Sequence, residues 1–144
     1  MVEQDTIRLL RECDAGVKMG ISSIGEVLSH VKDADLKQNL AETKRDHEIL
    51  EQDLRTLLNR YEDGGKEPNP MAKGMSWLKT NMKLSWDESD ATIADLMTDG
   101  CNMGVKSLSK YLNQYRAADE TSKNITKRLI RLEEQLAENL RRFL

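Results

Sequence analysis

Two histidines, His30 and His47, are the residues of this chain with the clearest potential for metal chemistry. Helical bundles that hold two metal ions use a carboxylate from each of two helices and a Glu-x-x-His pair from each of the other two. Here Val27 stands three positions before His30, and Lys44 stands three positions before His47. A lysine in the place of a bridging carboxylate would repel a cation. The spacing therefore predicts that the di-metal centre is absent, and we expect no metal cofactor and no catalytic residues.

Asp14 and His47 nevertheless interrupt apolar stripes, so both polar side chains are expected near a core. Counted from the turn between the first two helices, they differ in height by some 6 Å. Because buried charge is tolerated when it is paired, we expect a hydrogen-bonded pair or two polar groups at the edge of the stripe. The alternative is a residual site for iron, another divalent metal or a small ligand, with weak di-iron-type oxidoreductase activity. Its candidate residues are Asp14, His47, Cys101 and Asn102.

Glycines inside predicted helices form a second pattern. Each lowers helix stability by about 1 kcal/mol relative to alanine, so a compensating contact is expected. Gly16 and Gly20 of the first helix fall level with Gly100 and Gly104 of the third. We predict that these helices approach closely through the centre of the bundle. The alternatives are room for a ligand or for a second subunit.

Methionines and a tryptophan give the middle of the chain an apolar side. The residues concerned are Met71, Met75, Trp77 and Met82. One interpretation is that this segment covers the bundle. The other is that it is an adaptable surface for a protein partner, a use for which methionine is suited.

The composition favours long surface-exposed helices over a nucleic-acid or membrane protein. Of 144 residues, 33% are charged and only 4% are aromatic, and the net charge is −3 with both signs interspersed. This leaves no basic surface for DNA or RNA, and no apolar run approaches the ~18 residues that cross a membrane. Cys13 and Cys101 do not make a disulfide framework and residues 1–5 lack signal-peptide features, so we predict a reduced, cytoplasmic protein. Charges of the fourth helix, Glu133 and Glu134 among them, are interpreted as a solvated face.

The candidate residues lie in or between four segments that carry apolar residues at every third or fourth position. Such spacing is typical of amphipathic helices that bury one face in a bundle. A polar residue that can cap the first turn precedes each segment, and Gly64 can end the second helix. The predicted helices cover about 5–31, 34–63, 86–115 and 119–143, with Asp5, Asp33, Ser85 and Asp119 as their N-caps.

Two kinds of connection order these helices. Short turns join the first helix to the second and the third to the fourth, so each pair is an antiparallel hairpin. Residues 64–85, broken by Pro68 and Pro70, are long enough to cross a bundle about 40 Å long. This crossing makes the second and third helices parallel, and we predict a short extra helix within it. Residues 1–144 are therefore expected to form one all-α domain, a ferritin-like four-helix bundle.

Several segments carry a resemblance to a known family. They are Leu9-Leu10-Arg11-Glu12-Cys13-Asp14-Ala15-Gly16, Asp35-Leu36-Lys37, Gly64-Gly65, the crossover with Trp77, and Asp99-Gly100. In these features the chain resembles the DUF2383 group of small bacterial ferritin-like bundles, which is related to YciF-type proteins. The resemblance implies a closed bundle, often a homodimer, with a stress-related role.

The metal chemistry of ferritin relatives does not follow from this resemblance. Those relatives use helix carboxylates as ligands, whereas Asn102 and Met103 stand where a glutamate of the third helix would be expected. We therefore expect a non-enzymatic bundle that acts through protein–protein contacts.

Overall fold

The computed structural model describes residues 2–67 and 89–144, and within these ranges the chain is all-helical with no β-strand. The predicted all-α class is confirmed. The predicted crossover helix, the Met71, Met75, Trp77 and Met82 side chains and the Ser85 cap lie outside the described residues. The helices are α1 Val2–Leu28, α2 Ala34–Arg60, α3 Asp90–Gln114 and α4 Glu120–Leu140, followed by a 3-10 turn at Arg141–Phe143.

Hydrogen bonds at the helix ends show that α2 and α3 run in the same direction. The two carboxylate oxygens of Asp90, the first residue of α3, accept hydrogen bonds from the backbone amides of Lys32 and Asp33, each at 2.9 Å. These amides lie in the turn just before α2. The starts of α2 and α3 therefore share one end of the bundle, as the long connection between them predicts.

The start of α1 is joined to the turn before α4 at the opposite end. The backbone amide of Ala117 donates to Asp5 at 3.0 Å, and that of Asp119 donates to Thr6 Oγ1 at 2.8 Å. The prediction of Asp5 as the N-cap of α1 was wrong, because the helix begins at Val2. Asp5 instead binds an amide of the α3–α4 turn.

Side-chain caps fix the starts of the other three helices. Asp33 accepts from two amides of the first turn of α2, and Asp119 accepts from the Ser122 amide of α4 at 2.8 Å, both as predicted. The hydroxyl of Ser89 accepts from the Thr92 amide at 3.1 Å. The α3 helix therefore begins at Asp90, later than the predicted residue 86.

The end of α2 differs from the prediction of Gly64 as its stop. The backbone amides of Glu62 and Asp63 bend back to carbonyls of the last turn, at 3.1 Å each. Glu62 takes the left-handed conformation there, with φ of 54°, a position at which glycine is more usual. Since this turn already closes the helix, α2 ends at Arg60 and Gly64 lies beyond it.

Among the described residues, two buried apolar clusters fill the interior of the bundle, one toward each end. The cluster near the α1–α2 turn includes Ile24, Leu40, Cys101 and Leu136. The cluster near the α3–α4 turn includes Val17, Leu50, Leu108 and Leu129. No helix in the part of the chain that the structure describes is long and apolar enough to cross a membrane.

Candidate functional site

A polar layer separates the two apolar clusters, and each helix contributes to it between residues of the two clusters. Helices α2 and α4 supply the polar side chains, whereas α1 and α3 supply glycines that leave space for them. We call the following residues the central layer: Gly20 of α1, His47 of α2, Gly104 of α3 and Glu133 of α4. In a di-metal bundle, the middle of the core is where ligands converge.

His47 is 0% exposed, and both ring nitrogens have partners. Nδ1 lies 2.8 Å from the carbonyl oxygen of Thr43, one helical turn earlier, and Nε2 lies 2.8 Å from Oε1 of Glu133. Because a carbonyl oxygen only accepts, Nδ1 must carry a proton. The contact with Glu133 then needs a second proton, which either Nε2 or the carboxyl group supplies.

The balance of interactions at His47 favours the charged ring. Burial acts to lower the pKa of His47, because it disfavours the charged imidazolium. The hydrogen bond from Nε2 to Glu133, the negative charge of Glu133 and the bond to Thr43 outweigh it, so the pKa of His47 is raised above its usual value. In its charged form, the ring donates a hydrogen bond to each of the two oxygens.

Glu133 also faces a thiol from a third helix. Its side chain is only 12% exposed, and Cys101 of α3 hydrogen-bonds to it. Burial raises the pKa of the Cys101 thiol, and the charge and hydrogen bond of Glu133 raise it further. Since the thiolate is the nucleophilic form, Cys101 is an unreactive donor in this state.

Cys13 is a second buried thiol in a different setting. Burial raises the pKa of Cys13 to about 12, although a hydrogen bond with Thr126 opposes the shift. It belongs to the cluster near the α3–α4 turn, whereas Cys101 belongs to the other cluster. Both cysteines are free.

The glycines make room for side chains of other helices instead of facing one another as predicted. A β-carbon built at Gly20 would lie 2.7 Å from Cδ2 of His47, far inside normal contact distance. At Gly104 it would lie 3.7 Å from the carboxyl carbon of Glu133. At Gly16 the nearest atoms belong to Leu129 and Leu108, at 3.6 and 3.9 Å, and at Gly100 no described atom outside its own helical turn lies within 4 Å. Side chains of α2 and α4 therefore fill the space beside Gly20 and Gly104, whereas Gly16 packs against leucines of α3 and α4.

Asp14 is buried but takes no part in the central layer. Its Oδ2 accepts from Lys18 Nζ at 2.8 Å and from the backbone amide of Lys66 at 3.0 Å. The expected pair of Asp14 with His47 is therefore not formed, because each group is satisfied elsewhere. Asn102 is exposed, since the next position along α3 after Cys101 points away from the core. Of the four predicted site residues, only His47 and Cys101 come together, and they do so through Glu133.

The contact with Asp14 leaves no space for a side chain at position 65. Gly65 has φ of +84°, and a β-carbon there would collide with Oδ2 of Asp14. We expect Gly65→Ala to lower the free energy of unfolding by about 1–2 kcal/mol, the usual penalty of a left-handed non-glycine residue. Urea unfolding measures this change. Gly64→Ala is the matched control, because no described atom lies within 4 Å of its β-carbon position; equal losses for the two variants would contradict the assignment.

Sequence reasoning missed Glu133, although a signal for it exists. Leu129, Glu133, Leu136 and Leu140 follow one another at steps of four, three and four, so Glu133 lies on the buried face of α4. The balance of acidic and basic residues along α4 leads instead to the interpretation that Glu133 lies on the solvated face. Within residues 2–67 and 89–144, no group of three or more His, Cys, Asp or Glu side chains is placed to hold a metal ion.

Comparison with protein-family models, curated protein sequences and solved structures finds no match to this chain.

Proposed function

We propose that this chain is a ferritin-like four-helix bundle whose central layer holds a hydrogen-bonded ion pair in the place of a metal centre. In this proposal it is a non-enzymatic, cytoplasmic homodimer that acts through protein–protein contacts, with the stress-related role that its resemblance to the DUF2383 group implies. The supporting observation is that both nitrogens of His47 are occupied by oxygen atoms of the chain itself.

The chemistry of ligation explains why this observation matters. A histidine binds a metal through the lone pair of a neutral ring nitrogen. When the ring of His47 is charged, Nδ1 donates to Thr43 and Nε2 donates to Glu133, so no lone pair is left. Glu133 in turn accepts from His47 and from Cys101. A metal ion would have to displace all three hydrogen bonds in the interior of the bundle.

Apolar side chains on the outside of α2 and α3 support a role in contacts. Ile49 is 47% exposed and Met103 is 64% exposed, although both lie in the middle of long helices. Met103 occupies the position where a ligand of the third helix would be expected in a ferritin relative, and here it points to the solvent. We propose that these two side chains belong to surfaces that a second copy or another protein covers.

Metal content and mass test the proposal together. Protein purified without chelator is expected to contain iron, manganese and zinc at far less than one atom per chain by elemental analysis. Light scattering should give twice the chain mass of 16.5 kDa. A metal near one atom per chain that is lost in His47→Ala would overturn the metal-free bundle. A mass of one chain at all concentrations would overturn the homodimer.

A further inference from the structure

We propose that the His47–Glu133 pair is a pH-dependent switch. While the pair holds its second proton, α2 and α4 stay packed over Cys101, and when that proton is lost, the contact between these two helices opens. This inference concerns the interior of one chain. It does not depend on the partner or oligomeric state proposed above, and its test uses neither.

The first argument is that neither neutral form of the ring fits its surroundings. If the ring keeps its proton on Nδ1, the lone pair of Nε2 faces Oε1 of Glu133 at 2.8 Å. If the proton moves to Nε2, the lone pair of Nδ1 faces the carbonyl oxygen of Thr43, also at 2.8 Å. Two acceptors at hydrogen-bond distance repel each other, and burial prevents water from separating them. Loss of the proton therefore strains the pair whichever tautomer forms.

The second argument is that the ring has no room to turn away from this strain. Gly20 of α1 lies against the ring so closely that a single added carbon would collide with Cδ2 and Nε2. His47 itself is 0% exposed. Since α1 blocks one side and Thr43 lies on the same helix as the ring, the contact that can open is the one between α2 and α4.

The surrounding charges indicate which proton controls the contact. From α4 the ring meets Glu133, and on its own helix the negative charge of Asp46 acts in the same direction as Glu133. From α3 the neutral thiol of Cys101 donates to Glu133, and from α1 the ring meets the backbone at Gly20. Both carboxylates favour the charged ring, so the contact between α2 and α4 is closed while His47 is an imidazolium.

The direction of the pH effect follows from proton linkage. The pKa of His47 in the closed state is raised above the value of about 6.5 of a free histidine. The closed state therefore binds the proton more tightly than the open state. Its advantage is complete below pH about 6.5 and is lost as the pH rises through the raised pKa. Across that interval the open fraction grows up to tenfold for each pH unit, because one proton is released.

The two cysteines provide an internal measurement of opening. Full-length protein is labelled with iodoacetamide at intervals from pH 6 to pH 9, and mass spectrometry gives the rate at each thiol. The ratio of the Cys101 rate to the Cys13 rate largely removes the common rise in thiolate concentration. We expect this ratio to rise by up to tenfold per pH unit above pH about 6.5 and then to level off. A constant ratio would overturn the proposal, because global unfolding exposes both thiols together.

Glu133→Gln is the matched variant. A glutamine amide can donate to the lone pair of Nε2 while Nδ1 still donates to Thr43, so a neutral His47 is satisfied in the same geometry. Without the carboxylate the rate ratio is expected to stay constant over the same range. A rise as steep as in the native chain would show that a group other than this pair controls the exposure of Cys101. That result would overturn the assignment to the pair.

Discussion

Glu133→Ala is expected to lower the free energy of unfolding by about 3–5 kcal/mol, as removal of one partner of a buried ion pair usually does. The substitution leaves Nε2 of His47 without an acceptor, and it removes the partner of the Cys101 thiol at the same time. His47 is 0% exposed, so the ring nitrogen that loses its partner lies inside the bundle. Urea unfolding followed by circular dichroism measures the loss.

Glu134→Ala is the control for this prediction. Glu134 is the next residue of α4 but is exposed, so its removal should change the free energy of unfolding by no more than about 0.5 kcal/mol. Glu133→Gln should fall between the two at neutral pH, because the amide still donates to the ring. Equal effects of Glu133→Ala and Glu134→Ala would mean that the central layer does not stabilise the bundle.

Gly20→Ala is expected to destabilise the protein by about 2–3 kcal/mol, the reverse of the usual effect of this change within a helix. Alanine alone would stabilise α1 by about 1 kcal/mol. The added carbon, however, would lie 2.7 Å from a ring that is held by two hydrogen bonds. Either the ring shifts and breaks these bonds, or α1 moves away from α2. Overpacking together with a disrupted buried pair exceeds the gain in helix propensity.

Gly100→Ala separates the packing effect from helix propensity. Gly100 is also inside a helix, but no described atom outside its own helical turn lies within 4 Å of its β-carbon position. The variant should be more stable than the native chain by about 1 kcal/mol. The two substitutions are therefore expected to differ in sign in the same unfolding assay. Stabilisation by both would refute the close contact between Gly20 and His47.

The parts of the fold that follow local rules could be predicted from the sequence. Asp33 and Asp119 precede the apolar stripes of α2 and α4 and cap them as predicted. The parallel course of α2 and α3 follows from the length of chain between them. A local signal is misleading where another contact takes its role. Asp5 resembles an N-cap, but in the fold it binds the amide of Ala117, and Gly64 resembles a helix stop, but the turn at Glu62 already closes α2.

The candidate site was harder to predict because it depends on which residues of different helices meet. The sequence predicts His47 as a buried polar group and names Asp14, about 6 Å away along the bundle axis, as its partner. The actual partner is Glu133 of α4. The sequence does not show which face of α4 is turned toward α2.

Of the four glycines predicted at a close approach of α1 and α3, Gly20 packs tightly against His47 of α2, whereas Gly100 has no neighbour within 4 Å outside its own helical turn in the described ranges. The side chains that pack against Gly16, Gly20 and Gly104 belong to other helices, so the sequence around each glycine does not identify them.

The carboxylate of Asp90 has a consequence for engineering the chain. It ties the beginning of the second hairpin directly to the turn of the first, through the amides of Lys32 and Asp33. At the opposite end of the bundle, Asp5 of the first hairpin accepts a hydrogen bond from the backbone amide of Ala117 in the second. The two hairpins therefore contact each other at both ends of the bundle through residues outside the segment 68–88. Two separately produced fragments, divided within that segment, should reassemble into the native bundle on mixing.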